Sequence, residues 1–167
     1  MKKDRKQIRL RNYDYGNMGC YFITICSHNR SPLFSKIIPG NVYHVPEIRL
    51  LKIGSIVQKN IQRIPQVYSG VTVDNYVIMP NHVHLLISVH ENVVQESRSK
   101  MLIPKIIQSF KASVTKEIPM ELRPIWQARY YDHVVRDDSD FQIKWQYIEN
   151  NPIKWAEDCY YLNDMCE

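Results

Sequence analysis

Apolar and polar positions change their period several times along the 167 residues of the chain. Tyr21-Phe22-Ile23-Thr24-Ile25 is rich in strand formers and predicts a first strand. Arg30 to Arg49 carries Pro32, Pro39, Gly40 and Pro46, which predicts a loop with room for a short hairpin. From Leu50 to Ile64 the apolar residues Ile53, Ile56, Val57, Ile61 and Ile64 recur at three- and four-residue intervals. This predicts an amphipathic helix ended by Pro65. Val71 to Ile78 reads as a second strand, Pro80-Asn81 as a turn, and His82 to Val89 as a third strand antiparallel to the second. Pro104 to Lys116 predicts a second helix with Ile106, Ile107, Phe110 and Val114 on its apolar side. Arg129 to Arg136 supplies a fourth strand, and Asp138 or Ser139 can cap a last helix running to about Asn151.

Strand, helix, strand, strand, helix, strand is the order of the ferredoxin-like split β-α-β arrangement. The expected class is α+β: a four-stranded antiparallel sheet with two helices on one face and an added C-terminal helix. The other sheet face is expected to stay free. Such a fold hosts many functions and names none of them.

Composition narrows the picture moderately. The chain has a sizeable apolar fraction and only five glycines, which excludes disordered and collagen-like classes, and its length suits one domain. We expect a basic arm at 1–19 and one domain at 20–167. No apolar run reaches the ~18 residues of a membrane span, and no signal-peptide pattern follows Met1, so the expectation is a cytoplasmic protein without a membrane partner. A net charge of +5 suits a polyanionic partner. In the arm, Lys2, Lys3, Arg5, Lys6, Arg9 and Arg11 precede Tyr13 and Tyr15: cations that neutralise phosphates beside rings that stack on bases. A solvated terminus has the same composition. Neither Cys20/Cys26 nor Cys159/Cys166 has the short spacing of a zinc site, and both pairs read as free thiols, with a terminal bridge open in an oxidising compartment.

The sharpest local feature is Met79-Pro80-Asn81-His82-Val83-His84-Leu85-Leu86-Ile87. Alternate residues of a strand share a face, so His82 and His84 project together, roughly 6–7 Å apart, while Val83, Leu85 and Ile87 face a core. Two imidazoles so placed can bind one metal ion, yet most His-x-His pairs are ordinary, and two ligands are too few. The last helix offers further groups. Phe141, Trp145 and Ile148 form its core stripe, and Tyr147 lies off that stripe with Asn151 one turn beyond it. As plain structure, Tyr147 is a helix-edge aromatic and Asn151 a C-terminal cap before Pro152. Trp126, Trp145 and Trp155 read first as packing residues, and Asp132, His133 and Arg136 as support for the fold.

Several motifs in order, spanning most of the chain, resemble the single-tyrosine transposases of the HUH type, and most closely their REP-associated tyrosine transposase branch. They are Arg9 to Tyr15, Gly19 to Cys26, Met79 to His84, Ser109-Phe110-Lys111, Trp126-Gln127, Tyr131 to Arg136, and Tyr147-Ile148-Glu149-Asn150-Asn151-Pro152. The resemblance implies a metal-dependent transposase that cleaves and rejoins single-stranded DNA next to hairpins through a 5′-phosphotyrosine link. The family's His-hydrophobic-His motif falls on His82, Val83 and His84, its nucleophile on Tyr147, and the residue completing the metal site on Asn151. Many relatives have Gln at the last position, and the shorter Asn makes direct ligation a separate question from that of the histidines. The implied cofactor is Mg²⁺ or Mn²⁺, with no nucleotide cofactor, and the implied partner is hairpin-bearing single-stranded DNA, bound by a monomer or a homodimer.

Two other classes compete. A non-catalytic single-stranded nucleic-acid-binding domain on the same sheet would use the basic arm but gives no reason for His82, His84 and Tyr147 to converge. A related single-tyrosine relaxase or replication initiator would carry further domains, for which the chain has no room.

Overall fold

The structure, a computed structural model, describes residues 18–40, 45–90 and 102–157. In chain order its elements are β1 (Gly19–Cys26), β2 (Ser35–Ile38), β3 (Glu47–Leu50), α1 (Lys52–Val67), β4 (Val71–Ile78), β5 (His82–Val89), α2 (Leu102–Lys116), β6 (Tyr131–Val135) and α3 (Asp138–Asn150). The basic residues Lys2, Lys3, Arg5, Lys6, Arg9 and Arg11 lie outside the described residues, as do Cys159 and Cys166.

Four strands pair antiparallel in the order β4-β5-β1-β6, and β2 and β3 form a separate two-stranded hairpin. Together with α1 and α2 this is the expected α+β, ferredoxin-like split β-α-β arrangement. The hydrophobic effect assembles one main core: Tyr21, Ile23 and Ile25 of β1 and Val83, Leu85 and Ile87 of β5 pack against Val57, Ile61, Ile103, Ile106, Ile107 and Phe110 of the two helices. Asn60 and Lys59 of α1 both donate to the Glu117 carboxylate just beyond α2, at 3.0 Å each, which ties the two helices together. Among the described residues, no helix is long and apolar enough to cross a membrane.

The expectation of a free second face is corrected. Phe22, Val77, Met79 and Leu86 would be a bare apolar strip there, and Ile148 of α3 buries itself among them. α3 therefore lies on the face opposite α1 and α2, flanked by the hairpin, whose paired residues Ile37 and Ile48 join the same cluster.

Three local details differ from the sequence pattern. A bulge between Val73 and Asn75 shifts the phase of β4. Val71 and Val73 face the main core before it, Tyr76 and Ile78 after it, so Val77 is turned toward α3. Pro65 does not end α1, which continues to Val67 with the Tyr68 N–H bonded to the Ile64 carbonyl at 3.0 Å. Proline forfeits one hydrogen bond there, in a last turn that is closed by the next. Finally, Asp137, one residue before the expected caps, caps α3 by accepting from the Asp140 N–H at 2.8 Å.

α1 also presses closely on the loop before the hairpin. A Cβ at Gly54 would fall on the Phe34 carbonyl oxygen, which already accepts from the Leu51 N–H at 2.9 Å. Backbone cannot yield there as a flexible side chain could. Gly54→Ala is expected to destabilise the protein by about 1–3 kcal/mol, the usual cost of overpacking, read as a lower midpoint in urea unfolding with an unchanged m-value.

Candidate active site

β5 is buried on both faces, and its period of two sends His82 and His84 toward α3. The imidazoles are 0% and 1% exposed, with ring centroids 4.6 Å apart. Strand register supplies their supports. Thr24 lies directly opposite His84 on β1, and its hydroxyl is joined to His84 Nδ1 by a 2.8 Å hydrogen bond. His82 Nδ1 donates to the Asn81 side-chain oxygen at 2.9 Å. A carboxamide oxygen only accepts, so a His82 proton sits on Nδ1 and leaves Nε2 as the nitrogen that can offer a lone pair. Burial holds the His84 pKa well below its usual value, helped by neighbouring His82 and by the Lys144 ammonium. At neutral pH His84 is therefore an uncharged imidazole, the form that ligates metals.

α3 brings Tyr147 to this pair within the same chain. The Tyr147 ring stands edge-on to His84 at 5.2 Å between centroids and to Phe22 at 5.8 Å, while Phe22 itself stacks on His84 at 5.1 Å. Tyr147 remains 42% exposed, so its phenol borders both solvent and the buried imidazoles. Trp155, eight residues further on, packs on His82 at 5.9 Å. Asn151, the C-cap of α3, falls midway along the chain between these contacts and is 3% exposed. Among the described residues no group of three or more His, Cys, Asp or Glu side chains gathers as a metal cage. The side-chain donors that the structure brings together here are the two imidazoles.

Thr24 and Lys144 escaped the sequence reading. Thr24 becomes visible only through the β1–β5 register, which joins residues sixty apart in sequence. Lys144 lies one turn before Tyr147, and its ammonium sits 5.4 Å from the Phe22 ring centroid. Asp132 is buried on β6, and His133 Nε2 is hydrogen-bonded to the Asp140 carboxylate. Trp126 packs between Phe34 and Phe110, and Tyr131 is exposed at the sheet edge. Cys26 is buried, and burial pushes the Cys20 thiol up to about 11, so it is an inert group.

No protein-family model matches the chain. An uncharacterized protein of Haemophilus influenzae is 34% identical over 95% of this chain and 94% of its own length, and the two belong to one family. A second Haemophilus influenzae protein, provisionally named a REP-associated tyrosine transposase, is 32% identical over 46% of this chain and 47% of its own. In fold, the chain is similar to a solved REP-associated tyrosine transposase bound to a REP hairpin. That likeness has a TM-score of 0.60 at 19% identity, and covers 92% of this chain and 74% of the other.

The N-terminus of α3 is locked by charge. His133 Nε2 donates to the Asp140 carboxylate at 2.8 Å, and the Arg136 N–H donates to the same oxygen at 3.2 Å. Burial alone would raise the Asp140 pKa, but these two hydrogen bonds outweigh it and hold the carboxyl below its usual value. A carboxyl depressed on folding stabilises the native state above its unfolded pKa, near ~3.9, and that contribution fades as pH falls through the lower native value. Asp140→Asn should therefore be less stable than wild type above about pH 4, with the gap closing toward pH 2, measured by urea unfolding across that range.

Proposed function

We propose, from the chain's kinship with the REP-associated tyrosine transposases, that it is a transposase whose Tyr147 cleaves and rejoins single-stranded DNA beside hairpins. The similarities support a transposase; the chemistry is our reading of the residues. The observation that carries it is the phenol of Tyr147 standing against His84 in its own chain, half in solvent, where a DNA strand can reach it.

The donor set fits a divalent metal ion. His82 would present Nε2, because its Nδ1 proton is committed to Asn81, and His84 is kept uncharged by burial. The Asn151 carboxamide would offer a hard oxygen, which with phosphate and water oxygens suits Mg²⁺ or Mn²⁺ better than the thiolate-rich sets of structural zinc. When bound, such an ion supplies Lewis-acid polarisation of the scissile phosphate.

The rest is the work of the chain. Tyr147 Oη attacks phosphorus, the O–P bond to tyrosine forms, and the bond to the 3′-oxygen breaks. The phenol proton leaves to solvent and the departing 3′-oxygen gains one, so atoms and charge balance. Phosphotyrosine retains a phosphoester bond, and attack by a 3′-hydroxyl reverses the step without a nucleotide cofactor. Packing against Phe22 and His84 restricts the phenol, which lowers the entropy lost on reaching the attacking geometry. Lys144, one turn away, adds positive charge where an anionic backbone must lie.

A hairpin-bearing single-stranded oligonucleotide with Mg²⁺ or Mn²⁺ is expected to give a covalent adduct that survives denaturing electrophoresis. Tyr147→Phe should give none, and undiminished adduct would remove Tyr147 as the nucleophile. The double substitution His82→Ala with His84→Ala should slow cleavage by more than the roughly 100-fold that loss of a mere supporting group costs a metal site. Cleavage at the wild-type rate would exclude the histidines.

A further inference from the structure

The two histidines are flanked by different aromatic residues. Tyr147 reaches the pair from the His84 side, and Trp155 covers His82 on the other. Beyond His82 lies a cavity of about 420 Å³, walled by Ser35, Lys36 and Ile37 of β2, Pro80 and Asn81 of the β4–β5 turn, and Trp155. This volume falls within the ~300–1,000 Å³ of small-molecule sites, and its lining is mainly apolar. It adjoins the candidate site directly, since Asn81 both lines it and holds His82 Nδ1.

In-line displacement gives that position a meaning, provided the reading of Tyr147 above holds. The attacking oxygen, phosphorus and leaving oxygen lie on one line, so the leaving nucleotide must extend away from the phenol. With Tyr147 on the His84 side, away from the phenol is toward His82 and the cavity. We propose that the cavity accepts the base of the nucleotide immediately 5′ of the scissile phosphate, the one that departs on its 3′-hydroxyl, with Trp155 as its stacking platform. An indole beside an apolar slot is the kind of surface on which single-stranded bases stack, and Lys36 at the rim offers a cation to the backbone as it turns. The hairpin of β2 and β3 thereby gains a role in binding, because Ile37 lines the slot together with the indole.

The test uses the full chain with Mn²⁺ and hairpin oligonucleotides whose scissile position has been mapped with the wild type. One oligonucleotide is intact, one lacks the base 5′ of the scissile phosphate, and one lacks the base 3′ of it. Wild type should cleave the 5′-abasic strand with kcat/KM roughly 5- to 100-fold lower, the span of one lost base stack, and the 3′-abasic strand nearly as well as the intact one. Trp155→Ala should treat the intact and 5′-abasic strands alike, which a merely structural role would not produce. Because Trp155 also packs on His82, Ile37→Trp provides a second arm: it narrows the slot, keeps the indole, and should likewise erase the preference. A wild type indifferent to the 5′ base, a penalty confined to the 3′ base, or variants that keep the full preference would each overturn the proposal while leaving Tyr147 as nucleophile. Absence of adduct from wild type on all three strands would overturn the cleavage reading itself, and this proposal with it.

Discussion

The whole site depends on β5 being buried on both of its faces. Val83, Leu85 and Ile87 fill the main core, and the alternation of a strand then commits His82, His84 and Leu86 to the other side. Leu86, Phe22, Val77 and Met79 cannot be left bare on that side, and they recruit α3 through Ile148. Helical spacing does the rest: with Ile148 buried, its neighbour Tyr147 borders the same patch and meets Phe22 and His84 on the two central strands. One packing requirement thus brings together residues more than sixty positions apart.

Burial also sorts the chemistry. His84 is stripped of water and kept neutral, while Tyr147 keeps contact with solvent. A buried imidazole pair suits metal binding, and a half-exposed phenol suits attack on a polymer too large to enter a cavity. Supports are distributed accordingly. Thr24 and Asn81 hold the rings, and Asp137 and Asp140 secure the start of the helix that carries the tyrosine. Buried imidazoles held on two sides lose little further entropy on binding a ligand, which favours a site formed in advance.

Much of this was legible in the sequence, and what was not has definite causes. The runs around Tyr21, Ile53, His82 and Ile106 declared their elements because each repeats a single period for a full strand or several turns. The phase of β4 was hidden, because Val71 and Val73 suggest one face and Tyr76 and Ile78 the other, and only pairing with β5 reveals the extra residue between them. The side on which α3 packs was hidden too. Its stripe of Phe141, Trp145 and Ile148 announces an apolar face, but the matching strip is assembled from β1, β4 and β5, and its existence depends on register. In the site, His82, His84 and Tyr147 were visible through their motifs, and Asn151, singled out by the same motif, is buried at the end of α3. Thr24 was not visible, since it acts through a strand register that leaves no local mark, and the reach of Lys144 to Phe22 is likewise a contact made across the fold.

The central claim is that one chain supplies both the histidine pair and the tyrosine that works beside it. Mixing Tyr147→Phe protein with His82→Ala/His84→Ala protein on a hairpin-bearing strand tests it directly, with the covalent adduct as readout. If the site forms within a chain, the mixture yields no more adduct than either variant alone. Adduct restored toward the wild-type level would mean that a tyrosine serves the histidines of another chain, and would contradict the account.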